Sequence, residues 1–299
     1  MAMPPPVDGR APFEALQTAH KRLAEAHGFD AEVVFVEPVA TDDGPSRSLP
    51  CEGFTSALRG RALWLITGVH GEEPAGPNAL AQHVDALGEL ARTVPLVVLP
   101  LCNPLGYVRG WRYPNAPRVS DDPPGCSVGD SEHLLLSRDG GARAPAPVSP
   151  QADALTRWVL SKARAWPPAL VIDLHEDDGL DEGYIYAQGP LGAGDPIAGL
   201  AVEALVAGGV SLCLEGVTRF GEPIRSGVVD GAADGSIDEL LAARRILFGG
   251  AIVPGPAASS VIVVETGARQ IPLAERVRGH RALLAALPHM FPRVLTGLP

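Results

Sequence analysis

The stretch ALWLITGVHGEEPAG, residues 62–76, holds the pattern that decides the fold. The apolar run at 62–67 predicts a strand buried on both faces, as strands are in a parallel sheet covered by helices. A glycine ends this run, and the proline at position 74 suits the first turn of a following helix. The histidine and the glutamates between them therefore lie at the carboxyl end of a predicted strand.

The alternation of strand and helix continues on both sides of this stretch. Further apolar runs predict strands at 31–36, 95–101, 169–174, 183–187, 210–214 and 260–264. Helices are predicted at 13–27, 74–90, 152–165, 197–207, 237–246 and 272–287. Loops rich in glycine, proline and polar residues are predicted at 38–52, 103–150 and 216–235. This order predicts an α/β fold with a mixed, mostly parallel central sheet and helices on both faces.

Length and composition indicate one globular domain. The chain has 299 residues, of which 46% are hydrophobic and 20% charged. We expect residues 1–11, which are rich in proline, to be disordered or loosely attached, and residues 12–299 to form a single domain. The net charge of −11 argues against nucleic acids and anionic membranes as partners. The expected partner is a small molecule or short peptide, and no pattern indicates an oligomeric state.

The sequence patterns that indicate a cellular compartment are membrane-spanning segments, signal peptides and cysteine pairs. No apolar run approaches the roughly 18 residues that a transmembrane helix needs. The N-terminus lacks the basic and apolar segments of a signal peptide. The four cysteines include no CxxC pair and are expected to be reduced thiols. These features predict a cytoplasmic protein.

Four potential functional side chains follow predicted strands. His70 and Glu73 come after the strand at 62–67, while His175 and Glu265 each come directly after a later apolar run. Ligands of open α/β sheets collect beyond the carboxyl ends of the strands, so we expect the four to converge. Two imidazoles and a carboxylate are a ligand set of hydrolytic zinc, and a further carboxylate can take a proton from water. The pattern predicts a metal-dependent hydrolase.

One carboxylate accompanies the second histidine. Asp173 lies two residues before His175 and therefore shares its side of the strand. A carboxylate in this position can orient an imidazole that binds a metal. Asp173 is therefore a candidate for orienting the ring of His175; the alternative is that these acidic residues form a solvated turn at the end of the strand.

Four motifs, in this order, resemble those of the zinc carboxypeptidase superfamily of metallopeptidases and related deacylases. They are HGEE at 70–73, NPLGYVRGWR at 103–112, DLHE at 173–176 and VVETG at 263–267, and the resemblance covers about residues 60–285. It implies a zinc-carboxypeptidase-like fold and one bound zinc ion. On the matching positions, His70, Glu73 and His175 are the implied zinc ligands, and Glu265 is the implied general base.

The resemblance also implies residues that contact the substrate. Arg112 follows the tryptophan of its motif and is the first choice for the arginine that polarises the scissile carbonyl; Arg109 is the second. Asn103 begins the same motif and is expected to bind substrate. The family's receptor for a C-terminal carboxylate is missing from this chain. Two arginines are candidates to replace it: Arg269, four residues after Glu265, and Arg118.

The chain departs from this family where a carboxypeptidase holds the free C-terminal carboxylate. Glu132 and His133 stand in the place of the expected Asn-Arg pair, and no tyrosine follows Tyr186 to act as the mobile tyrosine. Glu72 also replaces an arginine between the first two ligands. We therefore expect Glu132, Asp130 and Glu72 to make the substrate pocket acidic, which suits an amine or a neutral polar group, and Glu132 and His133 to bind substrate.

Several activities are compatible with these residues. The leading hypothesis is a zinc-dependent hydrolase, a metallopeptidase or amidase, that cleaves an amide bond of a small peptide or modified amino acid by metal-activated water. The alternative is an N-acyl amino acid deacylase of the succinylglutamate desuccinylase or aspartoacylase type. A metal-binding module without catalysis is a further alternative.

A serine hydrolase is the remaining alternative. Residues 125–129, GCSVG, match the pattern GxSxG around Ser127. The catalytic partners would be an aspartate and a histidine later in the chain. The candidates for these partners are Asp230, Asp234, His280 and His289.

Overall fold

The computed structural model describes residues 8–41, 44–117 and 126–296. The apolar run quoted above forms the strand Ala62–Thr67, in which every residue is buried. The residues described as strand form a ten-stranded sheet and a separate two-stranded hairpin, and helices cover both faces of the large sheet.

The strands are β1 (Asp30–Thr41), β2 (Gly44–Thr55), β3 (Ala62–Thr67), β4 (Leu96–Leu99), β5 (Pro168–Asp177), β6 (Tyr184–Ala187), β7 (Glu215–Val217), β8 (Pro223–Arg225), β9 (Val228–Asp230), β10 (Arg245–Phe248), β11 (Ala251–Pro254) and β12 (Ser260–Gly267). The helices are α1 (Phe13–His27), α2 (Ala75–Ala81), α3 (Val84–Leu90), α4 (Pro104–Arg109), α5 (Pro150–Ala163), α6 (Pro196–Ala207), α7 (Ile237–Ala242) and α8 (Leu273–Thr296).

The strand order of the large sheet is β1-β2-β4-β3-β5-β12-β6-β9-β8-β7. The central strands β4, β3, β5 and β12 run parallel to one another. Toward both edges the pairings are antiparallel, except for the parallel pair of β6 and β9. The predicted α/β class with a mixed sheet is therefore confirmed, while "mostly parallel" holds for the centre of the sheet alone.

Alternate residues of β5 face different layers of helices. Ile172 and Leu174 belong to the apolar cluster that includes α2, α6 and α8. Val171 belongs to the cluster on the opposite face, with α5 and α7. Because side chains alternate along a strand, Asp173 and His175 point to the α5 and α7 side. This alternation decides which helices can contact the functional side chains.

The segment predicted as a loop at 38–52 is part of a long hairpin instead. β1 and β2 pair antiparallel, and β2 joins the rest of the sheet through Phe54 and Thr55, which pair with β4. Pro50 precedes this junction, where β2 has one partner strand among the described residues. A proline is tolerated there because its missing N–H can face the unpaired side.

Other differences concern where elements begin and end. The helix predicted at 74–90 is divided between α2 and α3 by Gln82 and His83. The loop predicted at 216–235 contains the short strands β7, β8 and β9. The strand predicted at 210–214 is reduced to one bridge, at Leu212. In each case, backbone hydrogen bonding decides where the helix or strand begins and ends. The apolar content of the sequence alone does not contain this information.

The N-terminal segment is more tightly held than expected. Residues 1–7 lie outside the described residues, but Arg10 donates hydrogen bonds to the carbonyl oxygens of Gly71 (2.7 Å) and Tyr107 (2.6 Å). The backbone N–H of Ala11 donates to Asn78 Oδ1 at 3.0 Å. Arg10 and Ala11 are therefore held by hydrogen bonds to the turn after β3, to α4 and to α2, which the proline-rich composition of the segment did not indicate.

α8 closes the face of the sheet that carries α2 and α6. It is 24 residues long and includes Pro288 and Pro292 within its C-terminal half. In the part of the chain that is described, no helix combines the length and the apolar content needed to cross a bilayer.

Candidate metal centre

His70 and Glu73 lie in a short turn between β3 and α2. The turn begins at Gly68, which has a positive φ of 64°, and it packs directly on α4. A Cβ on Gly71 would lie 2.0 Å from the carbonyl carbon of Gly106, so glycine is required at this contact. The close packing holds the backbone of the turn in one position and directs both side chains toward β5.

Three ligand atoms converge between this turn and β5. The carboxylate of Glu73 places Oε1 2.8 Å from Nδ1 of His70 and Oε2 2.8 Å from Nδ1 of His175. The two Nδ1 atoms are 3.2 Å apart. Ligand nitrogens of a tetrahedral zinc site lie about 3.3 Å apart, because Zn–N distances are about 2.0–2.1 Å. The donor set and its spacing fit one zinc ion.

The register of the sheet places Glu265 beside this cluster. β5 and β12 are parallel neighbours, and Glu265 pairs with His175. Residues paired in this way point to the same face of the sheet. The sequence placed both residues after their strands, whereas the pairing continues to Asp177 and Gly267, so both lie within the strands. The strands extend further because β5 and β12 support each other beyond the apolar run.

Glu265 is in an environment that favours its protonated form. Burial is the main cause that raises the pKa of this carboxyl, to about 8, and the charges of Glu73 and Asp177 raise it further. The nearby His175 and Arg112 oppose this rise. A carboxyl with such a pKa can both take and return a proton near neutral pH, as a general base does.

The guanidinium of Arg112 contacts the turn between β3 and α2. Its Nη1 donates to Glu73 Oε1 at 3.0 Å and lies 3.2 Å from Glu72 Oε1. Burial lowers the pKa of the guanidinium, but the charges of Glu73 and Glu72 more than offset this and raise it overall. Arg112 is therefore a permanent positive charge at the edge of the cluster.

Asn103 holds Arg112 in this place. Its Oδ1 accepts a hydrogen bond from Gly106 N–H at 2.8 Å and caps α4, while its Nδ2 donates to the carbonyl of Arg112 at 3.0 Å. The side chain is completely buried. The amide that was expected to bind substrate therefore binds the backbone on both sides, because it occupies the N-cap position.

The other predicted substrate contacts lie elsewhere. The guanidinium of Arg109 stacks over Trp111 at 4.6 Å. Arg269 forms an exposed ion pair with Asp181 at 2.9 Å. Arg118 lies outside the described residues. Neither Arg109 nor Arg269 is brought into the cluster, because distance along the chain does not set the direction of a side chain.

Glu132 and His133 are not directed together into one pocket with the cluster. Glu132 packs closely against Gly235: a Cβ added to Gly235 would lie 2.4 Å from Cγ of Glu132. His133 lines a separate cleft with Asp153, Arg157 and Phe248, among others. The prediction that this pair lines the substrate pocket is therefore not supported for His133, because consecutive residues of this turn face different surfaces.

Tyr184 is a further residue beside Glu265 that the sequence analysis did not single out. It pairs with Glu265 across the antiparallel ladder of β12 and β6. Its hydroxyl donates a hydrogen bond to Asp177 Oδ2 at 2.8 Å, and burial raises its pKa. The alternation of Tyr184 and Tyr186 in GYIYA was the available signal for a face shared with the cluster.

The second ring nitrogen of His175 faces a carboxylate on its own strand. Nε2 lies 3.1 Å from Oδ2 of Asp173, which is completely buried. This is the position predicted for a carboxylate that orients the imidazole. Behind Asp173 lies Asp238 of α7, another buried carboxylate that the sequence analysis did not consider.

Ser127 is not part of a serine-hydrolase arrangement in the described structure. Its Oγ accepts a hydrogen bond from Gly129 N–H at 3.2 Å. His280 is buried beneath β12 and contacts Thr266, and His289 lies on the exposed side of α8. Asp230 accepts a hydrogen bond from Ala193, and Asp234 accepts one from Ser236. None of the four candidate partners contacts this serine.

Comparisons with solved structures find proteins that share the fold described above. No protein-family model and no curated protein matches the chain. A candidate metallopeptidase from Shewanella amazonensis has a TM-score of 0.70 at 23% identity, over 95% of this chain and 92% of that chain. Carboxypeptidase A from Helicoverpa armigera has a TM-score of 0.60 at 13% identity, over 97% and 74%. A metallo-carboxypeptidase from Burkholderia cenocepacia has a TM-score of 0.55 at 14% identity, over 93% and 68%.

Proposed function

Because the chain has the fold of the metallo-carboxypeptidases, we propose that it is a zinc-dependent hydrolase that cleaves an amide bond. One observation carries this proposal. The ligand atoms of His70, Glu73 and His175 all lie within 4.8 Å of one another. Glu265 pairs with His175 on the neighbouring strand. The ligand set fits zinc, and a base stands beside it.

Each residue has a chemical role in this proposal. A bound zinc ion would lower the pKa of water and polarise a carbonyl. Glu265 would accept the proton of the attacking water and return it to the leaving amine, which its raised pKa favours. Arg112 would stabilise the negative charge that develops on the carbonyl oxygen. Tyr184 would hold Asp177, whose charge helps to keep the pKa of Glu265 high.

The substrate we propose is a small peptide or a modified amino acid that does not present a free C-terminal carboxylate to an arginine. Arg269 is paired with Asp181, and His133 lies in another cleft. Arg112 is paired with Glu72 and Glu73. These placements leave none of the predicted carboxylate-binding residues that the structure describes beside the cluster, and the guanidinium of Arg219, which lies 3.8 Å from Asp177, is paired with an acid as well.

The test is a substrate panel with and without a metal chelator. The panel contains free dipeptides, dipeptides with a blocked C-terminus, and N-acyl amino acids. We expect one zinc ion per chain and hydrolysis that the chelator abolishes and added zinc restores, with blocked peptides preferred over free ones. Preference for N-acyl amino acids would favour the deacylase alternative.

Two outcomes would contradict the proposal. Hydrolysis that persists after complete zinc removal would show that the metal is not required, and its loss in Ser127→Ala would then favour the serine alternative. Stable zinc binding without turnover of any panel member, and with no difference between the native chain and Glu265→Gln, would favour a metal-binding module.

A further inference from the structure

We propose that Glu176 and Arg276 are positioning residues that hold the start of α2, and with it the backbone that carries Glu73, in a fixed place against β5. The part of this inference that concerns zinc affinity rests on the function proposed above. The part that concerns α2 does not, so the two parts can be tested separately.

Glu176 lies beside His175 on β5 but points to the opposite face of the sheet. Side chains alternate along a strand, and Ile172 and Leu174 belong to the apolar cluster that includes residues of α2 and α8. Glu176 continues this face, and 1% of its side chain is exposed. One strand therefore offers a metal ligand on one face and a buried carboxylate on the other.

α2 begins without a capping side chain of its own. The residue before the helix is Pro74, whose side chain does not accept a hydrogen bond. The first N–H groups of a helix need an acceptor from elsewhere when they are buried. Oε2 of Glu176 accepts a hydrogen bond from the buried N–H of Ala75 at 2.7 Å. The cap of α2 therefore comes from β5, about one hundred residues later in the chain.

This cap fixes the backbone directly after a proposed zinc ligand. Ala75 is two residues after Glu73, and the proline between them has a φ angle that its ring restricts. The backbone N–H of Glu176 also donates to Oε2 of Glu73 at 3.3 Å. A Cβ on Gly76 would lie 3.0 Å from the carbonyl oxygen of Leu174, so the helix begins in close contact with β5.

Arg276 holds the carboxylate of Glu176 from the side of α8. Its Nη1 donates to Oε1 of Glu176, and its Nε donates to the carbonyl of Ile271 at 3.1 Å. Ile271 lies between β12 and α8. The arginine is itself largely buried, with 11% of its side chain exposed. Arg276 therefore connects the chain that follows β12 to β5 and, through Glu176, to the start of α2.

A double variant can separate this positioning role from stability. Replacing both members of a buried salt bridge with apolar side chains of similar size is often neutral or stabilising, whereas removing one member leaves the other without its partner. Glu176→Met/Arg276→Met should therefore remain folded, with a urea midpoint close to that of the native chain. It would nevertheless lack the acceptor for Ala75 N–H.

The first measurement is amide hydrogen exchange followed by NMR in the metal-free protein. In the native chain we expect the Ala75 N–H to exchange slowly and to resonate downfield, because its acceptor is a carboxylate. Both features should be lost in Glu176→Met/Arg276→Met, while the amide of Gln82, which bonds within α2, stays protected. Arg278→Met, an exposed change on α8, should leave the Ala75 amide as it is in the native chain.

The second measurement is zinc affinity by competition with a chelator. We expect Glu176→Met/Arg276→Met to bind zinc about 10–100-fold more weakly than the native chain, the range typical of residues that support metal ligands. Arg276→Lys, whose ammonium can still donate to Glu176, should bind zinc more tightly than Arg276→Met. Equal affinities of these two single variants would show that the hydrogen bond to Glu176 does not matter.

Three further results would overturn the inference. Equal protection of Ala75 in the native chain and the double variant would show that the pair does not hold the start of α2. Loss of this protection with unchanged zinc affinity would show that the hold does not extend to Glu73. Simultaneous loss of protection at Gln82 would reduce the pair to a role in general stability.

The same measurements distinguish failure of this inference from failure of the proposed function. If the native chain bound no zinc while the protection of Ala75 still depended on Glu176 and Arg276, the proposed function would fail. The hold on the start of α2 would stand.

Discussion

Glu72 shows how one residue changes the charge around the cluster. It stands between His70 and Glu73, where the resembled family carries an arginine. Arg112 contacts both Glu72 and Glu73, so a guanidinium still lies beside the cluster but comes from the segment after α4. Burial raises the pKa of Glu72, while Arg112 opposes this rise. Because Arg112 already matches the carbonyl-polarising arginine of that family, the departure at Glu72 removes one positive charge from the cluster and adds a negative one.

Glu265→Gln separates metal binding from turnover. Glutamine has nearly the same shape but cannot accept the proton of water, so we expect kcat to fall about 10²–10⁴-fold, the usual contribution of a general base. Zinc content should be unchanged, because Glu265 is not one of the three converging ligands. Steady-state kinetics and metal analysis check this, with the exposed Glu203→Gln as the control. Turnover within a factor of two of the native chain would remove Glu265 from the mechanism.

Two buried histidines predict how stability depends on pH. Burial lowers the pKa of His20 to about 4 and that of His280 to about 3, with Arg276 contributing to the latter. Unfolded histidines titrate near 6.5, so below this pH the unfolded chain binds protons that the folded chain does not. The stability that these two histidines contribute should be complete above pH 6.5 and decline toward pH 4, by up to about 1.4 kcal/mol per pH unit for each histidine. Carboxyls with a raised pKa, such as Glu265, contribute with the opposite sign, so the comparison with a histidine variant isolates this part.

Urea unfolding of the metal-free protein between about pH 4.5 and 6.5 measures this slope. His20→Gln should make the slope shallower, because glutamine does not titrate. The exposed His289→Gln should leave it unchanged. An equal slope in the native chain and His20→Gln would show that His20 titrates alike in the folded and unfolded chain, so that its pKa is not lowered by burial.

At the scale of single residues, the sequence identified the converging side chains better than the peripheral ones. His70, His175 and Glu265 follow buried strands, and the physics of parallel sheets brings such positions to one edge. Arg269 and His133 lie in turns, where a change in one backbone dihedral angle directs a side chain to a different surface. Their directions depend on packing that a linear pattern does not contain.

The turn between β3 and α2 is the element on which the site depends most. Gly71→Ala would place a Cβ 2.2 Å from the backbone nitrogen of Tyr107 and push the turn away from α4. We expect a loss of about 1–3 kcal/mol of stability, as for other overpacked sites, and a larger loss of zinc affinity because His70 and Glu73 both move. Chemical unfolding and chelator competition measure the two effects.

The matched control is Gly199→Ala in α6. Nothing lies within 4 Å of a Cβ at Gly199, which is exposed and helical. This change should increase stability by about 0.5–1 kcal/mol, because alanine favours helix over glycine. If both variants behaved alike, close packing of Gly71 on α4 would not be what positions the turn.

At the scale of the whole molecule, zinc should stabilise the fold, because its proposed ligands come from distant parts of the chain. Glu73 and His175 are 102 residues apart in sequence and belong to the turn after β3 and to β5. A ligand that binds the folded state alone adds about 2.7 kcal/mol of stability at a concentration of 100 Kd. We expect zinc to raise Tm by several degrees, measured by differential scanning fluorimetry.

His70→Ala should abolish this zinc-dependent rise, because it removes one of the three ligands. His289→Ala, on the exposed side of α8, should retain it. A rise of the same size in His70→Ala would place the stabilising zinc ion at another site.

The sequence alone determined the α/β class, the central strands and the four side chains at their carboxyl ends. Continuous apolar runs can be buried only inside a covered sheet, and local composition records them directly. The structure alone decided that β2 is a strand, that Asn103 faces the backbone, and that Asp238 lies behind His175. These depend on pairing and packing between residues far apart in the chain, which no local pattern records.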